Sequence, residues 1–365
     1  MQLTKIHSNY FLIYSLFFIF SGIFAILANI LFLKFSKNMG IRNNADDGTI
    51  IRWGSQSKPA LGGISFYIIF LLSLECYFIF FSDNPNIFIN KEFIGFLLAS
   101  TIAFFMGLAD DAYNTKPLIK ITVQICCGII FILSGLQINI FAIQALNYFI
   151  TVFWVVGMMN SINMLDNMDA ITTSVALVIT LSAISIIIFH GDFSNFLLLA
   201  LLGVSSALAG FLYFNWHPSK MYMGDSGSQF LGVFLAGIGI RFFWNDYSSE
   251  HQTGFKQIIT TLLIFIMPII DTSIVIINRL AKKKSPFIGG KDHTTHSLVY
   301  LGFKDKQVAI IFASITLISL LFIILIHQFV PIWNNYFTFF FGLYFVVVFF
   351  IFFYITKLRE RKFKH

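Results

Sequence analysis

Apolar runs long enough to cross a bilayer recur along the chain, separated by short polar connections. A helix spanning the hydrocarbon core needs roughly 20 predominantly apolar residues. The stretches that meet or approach this length are 11–35, 61–82, 93–109, 118–136, 148–162, 172–190, 195–214, 228–244, 257–280, 307–328 and 335–356. The pattern predicts an all-α integral membrane protein of about eleven transmembrane helices. The fifth run has the weakest claim, because it slides into the polar sequence NSINMLDNMD. With no internal repeat or low-complexity linker in view, residues 1–365 are expected to form a single polytopic membrane domain.

Composition supports that solvent assignment. Hydrophobic residues make up 57% of the chain and charged residues 11%, with 47 Phe, which is too apolar for a surface bathed in water. Cys76, Cys126 and Cys127 all fall inside apolar runs, so they read as packing residues rather than a disulfide or thiolate metal framework. The first run, from about Tyr10 to Phe35, is longer than the core of a cleavable signal and is expected to be the first span.

Charge then orients the chain. If the spans alternate, all of the 24 Lys and Arg residues except Lys5, Lys91, Arg241 and Lys256 fall on one side. By the positive-inside rule that side is cytoplasmic, which places the N-terminus outside and the basic tail KLRERKFKH inside. The acids Asp110, Asp111, Asp166, Asp169, Asp225, Asp271, Asp292 and Asp305 sort to the same side. Chemistry is therefore expected on the cytoplasmic face.

Four polar stretches and one buried acid carry that chemistry. In GLADDAYNTK, Asp110 and Asp111 repel one another unless a cation, a basic side chain or a proton compensates, and Lys116 and Lys120 follow. A solvated loop start would explain an isolated pair equally well. In NSINMLDNMDA, residues Asn160, Asn163, Asp166 and Asp169 recur every third position, a pitch that wraps partway round a helix end and suits the lining of a polar pocket. Amides and carboxylates there can ligate a metal or read the edge of a base, or simply cap the span. MYMGDSGSQFLG sets Asp225 among Gly and Ser residues where a span begins, so backbone can approach a phosphate and one carboxylate can hold Mg2+; the same sequence also makes a turn. KKKSPFIGGKDHTTHSL places His293 and His296 three apart in a basic loop, suited to a diphosphate or, for its Lys run, to anionic lipid. Asp271, within PIIDTSIVIINRL, lies in an apolar run and needs a partner or a polar cavity; an ion pair with another helix and a catalytic role are both open.

In this order, GLADDAYNTKPLIKITVQ, NSINMLDNMDA, MGDSGS, PIIDTSIVIINR and SPFIGGKDHTTH resemble the polyprenyl-phosphate N-acetylhexosamine-1-phosphate transferase family, which includes the phospho-N-acetylmuramoyl-pentapeptide transferases. The resemblance implies transfer of a sugar-1-phosphate from a UDP-sugar to undecaprenyl phosphate, releasing UMP. It implies Mg2+, with Mn2+ as a substitute, in a bacterial inner (cytoplasmic) membrane. By matched position, Asp110, Asp111 and Asp225 become the catalytic acids, and Asp225 with Asp111 the metal pair. Asn163 and Asp166 would line the nucleotide-diphosphate pocket, with Asp169 near the uracil. Lys116, Lys120 and Lys58 would contact phosphate, and His293 and His296 the sugar diphosphate.

The chain departs from the family pattern at several places. Asn167 and Ala170 stand where Gly usually follows each Asp of the nucleotide motif; Thr295 replaces the middle imidazole of a His-x-His-His pattern; and Gln56 stands in a shortened first loop. An eleventh span with an inside C-terminus favours the branch that starts cell-surface polysaccharides, with UDP-GlcNAc as donor. The pentapeptide transferase of peptidoglycan synthesis is the second reading, and a proton- or cation-coupled transporter the alternative from another class. Membrane lipid and a second copy of the chain, as a homodimer, are expected partners. Nucleic acid is not, and the net charge of +7 fits anionic lipid and substrates.

Overall fold

Helix α8 (Gly224–Gly239), continued by a π-helical turn at Ile240–Trp244, is the axis of the molecule. Of its apolar window 94% is buried, against 17% for α1 (Gln2–Asn38) and for α13 (Asn335–Lys362), which face outward. A computed structural model of the chain describes residues 2–38, 58–81, 90–245, 254–285, 290 and 292–362. Gln56 lies outside the described residues.

The other elements are α2 (Gly62–Phe81), α3 (Lys91–Tyr113), α4 (Pro117–Leu133), α5 (Gln144–Leu165), α6 (Ile171–His190), α7 (Phe196–Asn215), α9 (Gly254–Ile264), α10 (Ile266–Ala281), α11 (Thr294–Tyr300) and α12 (Asp305–Phe329). Every apolar run in the sequence is occupied by helix. Among the described residues nine helices are long and apolar enough to cross a membrane, ten if the bent pair α9–α10 is one span, while α4 is a shorter apolar helix of 17 residues. Phe11, Phe105, Phe153, Phe339 and many other large apolar side chains are exposed, as a lipid-facing surface requires. The protein is embedded in a membrane.

The ninth apolar run differs from a single straight span: it bends by 82° between α9 and α10. Pro268 explains the position of the break. It has no N–H to donate to the carbonyl of Ile264, and its ring crowds that carbonyl, so α9 ends at Ile264. The fifth run continues as helix to Leu165, beyond its apolar portion. Its polar residues stay helical because they have partners on neighbouring helices, Asn160 on Gln124 of α4 and Asn163 on α8.

Small residues bring the backbones of α2 and α3 against the start of α8. A Cβ on Gly63 would lie 2.1 Å from the Gly227 nitrogen, and one on Gly107 would lie 2.2 Å from the Asp225 carbonyl oxygen. Such close approach is how helices associate in a medium that offers no hydrophobic drive between them. The contact is completed by backbone hydrogen bonds from Gly62 to Tyr222 and from Gly63 to Met223, 3.1 and 2.9 Å long. At the opposite end of α3 and α8, Glu92 pairs with Arg241 at 3.0 Å.

Candidate active site

The C-terminal ends of α3, α5 and α7 and the N-terminal ends of α2, α4 and α8 meet at one end of the bundle, and most of the acids singled out in the sequence collect there. Asp225 stands in the first turn of α8, where the helix dipole favours a negative charge. Gly224 before it has φ +77, and a Cβ there would meet the Ala60 carbonyl oxygen and an Asp111 oxygen, each at 2.8 Å, so the turn admits only Gly.

Asp111 accepts the Asp225 N–H on Oδ1 at 2.8 Å and the Ser226 N–H on Oδ2 at 2.9 Å. It thereby caps α8 from the end of α3. A carboxylate oxygen carries two lone pairs, so capping and ligation are compatible roles for one group. Asp110, buried beside it, accepts the N–H and the hydroxyl of Thr115 on Oδ1, both at 2.8 Å. Its other oxygen meets the Lys120 ammonium, and its carboxyl lies within hydrogen-bonding reach of Asp225. Two facing carboxylates with one lysine between them call for further positive charge or a proton.

Asn163 turns its Nδ2 into this cluster, donating to Asp225 Oδ1 at 2.5 Å and to Ser228 Oγ at 2.8 Å. Beneath it, Gln124, Asn160 and Gln229 form a chain of amides that satisfies polar groups otherwise stranded in an apolar core. Asp166 terminates α5 at the rim. Lys116 is exposed at the start of α4, with Lys120 one turn further into the site.

Asp169 is held more firmly than a group merely lining a pocket. It accepts the Ser219 N–H at 3.0 Å, the Ser219 hydroxyl at 2.7 Å, and lies 2.9 Å from His217 Nδ1. Lys58 donates to the same Ser219 hydroxyl at 3.1 Å, so Lys58 and Asp169 share one hydrogen-bonded network. His217 also faces Asp305 at 3.5 Å, and a cavity of about 530 Å³ opens between His217, Pro218 and the Lys304–Lys306 turn.

His293 and His296 flank the first turn of α11, and Asp271 decides their placement. Fully buried, Asp271 lies 2.9 Å from His293 Nδ1 and accepts the N–H and hydroxyl of Thr294 at 2.9 and 2.5 Å. The intramembrane acid thus caps α11 and finds the polar partners that its place in an apolar run requires. Arg279 grips Asp292 bidentately, with contacts of 2.8 and 2.7 Å. Burial pushes the Asp292 carboxyl up, but Arg279 outweighs it and holds the group below the usual carboxylate range. His296 is pushed down to about 4, first by burial and then by the charge of His293, so it is neutral near pH 7.

Two of the departures in sequence, Asn167 and Thr295, meet in space. Asn167 Oδ1 accepts the Thr295 hydroxyl at 2.8 Å, while Asn167 Nδ2 donates to the Met164 carbonyl at 2.8 Å. Ala170 adopts the left-handed φ of 65 that a Gly would take without strain, and its N–H goes to Asn215 Oδ1 at 3.0 Å. Sequence reasoning passed over Asn215, His217 and Ser219, which lie in no recognisable motif. Ser228 and Thr115 sat inside quoted motifs, and only their contacts single them out.

A family model described as glycosyl transferase family 4 matches residues 93–243, a stretch that contains Asp110, Asp111, Asn163, Asp166, Asp169 and Asp225. The chain is 27% identical over 258 residues to the probable undecaprenyl-phosphate N-acetylglucosaminyl 1-phosphate transferase of Bacillus subtilis (strain 168), covering 68% of each chain. It is 28% identical over 242 residues to the undecaprenyl-phosphate alpha-N-acetylglucosaminyl 1-phosphate transferase of Thermotoga maritima, covering 66% of this chain and 68% of the relative. It is 30% identical over 250 residues to the phospho-N-acetylmuramoyl-pentapeptide-transferase of Streptococcus equi subsp. zooepidemicus, covering 62% of this chain and 69% of the relative.

Proposed function

The chain belongs to glycosyl transferase family 4, and we propose that it transfers N-acetylhexosamine-1-phosphate from a UDP-sugar, UDP-GlcNAc in the first instance, to undecaprenyl phosphate. The observation that carries this reading is the convergence of Asp110, Asp111, Asn163 and Lys120 on Asp225 at the start of α8.

In the reaction a phosphate oxygen of the lipid forms a bond to the sugar-linked phosphorus. The bond from that phosphorus to the bridging oxygen breaks, and UMP leaves with the electron pair. A phosphate monoester is already nucleophilic at neutral pH, so direct attack needs no covalent aspartyl intermediate. What it needs is positioning and compensation of negative charge. Lys120 supplies one cation, Lys116 stands ready at the rim, and Asn163 orients Asp225.

The donor set also fits a divalent cation. Mg2+ takes hard oxygen ligands, keeps several waters and is bound through one or two carboxylates plus substrate phosphates. Asp225, with Asp111 beside it, would hold Mg2+ or Mn2+, and Asp110 facing Asp225 makes the need for positive charge acute. Bound there, the metal would neutralise the donor diphosphate.

The site sits at the end of the bundle that the Lys and Arg distribution assigns to the cytoplasm, in a bacterial inner membrane. There a lipid phosphate and a soluble nucleotide sugar can meet. The helix α13, following α12, supports the polysaccharide-initiating branch over the pentapeptide transferase. The test is UMP release by the purified, detergent-solubilised protein with undecaprenyl phosphate, Mg2+ and a panel of UDP-sugars. Release with UDP-GlcNAc that requires both lipid and metal is expected; silence across the panel from folded protein would overturn the reading.

A further inference from the structure

The loop between α5 and α6 carries Asp166 and Asp169, and against it lies the start of α11, with His293 at its N-cap and His296 in its first turn. Each is anchored to its own surroundings. Asp169 is clamped by Ser219 and His217, and α11 is capped by Asp271. Anchoring within each part does not set the distance between them. The Thr295 hydroxyl does span it: Thr295 is fully buried between the two histidines, and its Oγ1 donates to Asn167 Oδ1, 128 residues away in sequence. The orientation of the Asn167 amide is decided locally, because Nδ2 is committed to the Met164 carbonyl and Oδ1 is turned toward Thr295. A buried hydroxyl with an amide acceptor held in place makes a directional tie rather than an adaptable contact.

We propose that the Asn167–Thr295 hydrogen bond is a latch that sets the width of the donor cleft between the Asp166–Asp169 loop and the His293–His296 turn, so that both act as positioning residues for the nucleotide-sugar diphosphate. The inference rests on the transferase reading above. Because neither side chain belongs to the acid cluster around Asp225, the latch governs donor binding and leaves the chemical step and the lipid acceptor untouched.

The experiment is a double-mutant cycle with Asn167→Ala, Thr295→Val and the double variant, adding Thr295→Ser as the conservative replacement. UMP release gives kcat and separate KM values for UDP-sugar and undecaprenyl phosphate, and thermal unfolding checks the fold. The expected result is a rise of roughly 10-fold in donor KM for each single variant, the scale of one lost hydrogen bond. The double variant should show no further rise, Thr295→Ser should behave as wild type, and kcat and lipid KM should stay within about twofold. Additive effects, an unmoved donor KM or losses in kcat would overturn the latch. If Asn167→Ala fails to fold, the Val and Ser replacements at Thr295 carry the test alone. A wild-type protein that releases no UMP sinks the transferase reading and the latch with it, whereas an active wild type with unmoved variants sinks only the latch.

Discussion

Asp111 holds the first turn of α8 by both carboxylate oxygens, so the backbone of Asp225 is placed by a side chain 114 residues earlier in the chain. The acidic pair at the end of α3 therefore divides its labour. Asp111 positions the helix start, and Asp110, with Lys120 and Thr115, faces the Asp225 side chain.

Replacing each acid by its amide separates these roles. Asp111→Asn leaves one α8 amide facing an NH2 group, and we expect a stability loss of about 1–2 kcal/mol, read as a lower Tm in detergent, together with reduced UMP release. Asp225→Asn keeps an acceptor for Asn163, so Tm should stay unchanged while UMP release falls by roughly 100-fold or more. Normal turnover in the Asp225→Asn variant would remove Asp225 from the metal site.

Chelation should stop UMP release, with Mg2+ restoring it and Mn2+ substituting. Binding can be followed without turnover, from the loss of free Mn2+ signal in electron paramagnetic resonance as protein is added. Wild-type protein should take up Mn2+, and Asp225→Asn should weaken the uptake. Equal uptake by both would place the ion elsewhere.

Ala170 sits in left-handed backbone at φ 65, a conformation that costs a non-glycine residue roughly 1–2 kcal/mol. Glycine removes the strain but adds unfolded-state entropy of about 0.4–1 kcal/mol. Ala170→Gly should therefore stabilise by up to about 1.5 kcal/mol, and Ala170→Val should destabilise. Denaturant titration decides it, and a less stable Gly variant would show that the conformation is unstrained.

His296 ties stability to pH. Its imidazole titrates near 6.5 when unfolded and at about 4 in the fold, where burial and His293 disfavour its charge, Arg359 adds to them, and Asp271 and Asp292 oppose them. Between those values the unfolded chain holds the extra proton, so the contribution is fully present above pH 6.5 and is lost as pH falls through 4. The total is up to ~3 kcal/mol. Asp292, held low by Arg279, acts in the same sense but at more acid pH, below the usual carboxylate range. Tm measured from about pH 4.5 to 7.5 should fall on acidification, and His296→Gln should flatten the slope. Identical slopes would refute the assignment.

The helices of this molecule were largely legible in the sequence, because the bilayer reduces helix prediction to the length of apolar runs. The motifs around Asp110, Asn163 and Asp225 were legible for a related reason, since polar groups are scarce enough here for each cluster to stand out. Local sequence could not say that Pro268 would break a span by 82°, although the residue was visible. Nor could it say that Asp271 would cap α11 or that Asp111 would cap α8. Those outcomes depend on which helix ends meet. Hydrogen-bond partners such as Asp169 with Ser219, Asp271 with His293 and Asn167 with Thr295 lie 50, 22 and 128 residues apart. Their selection follows from packing, where close backbone contact at Gly63, Gly107 and Gly224 brings separate segments within reach, and a buried polar group must then find its partner among whatever packing has brought near.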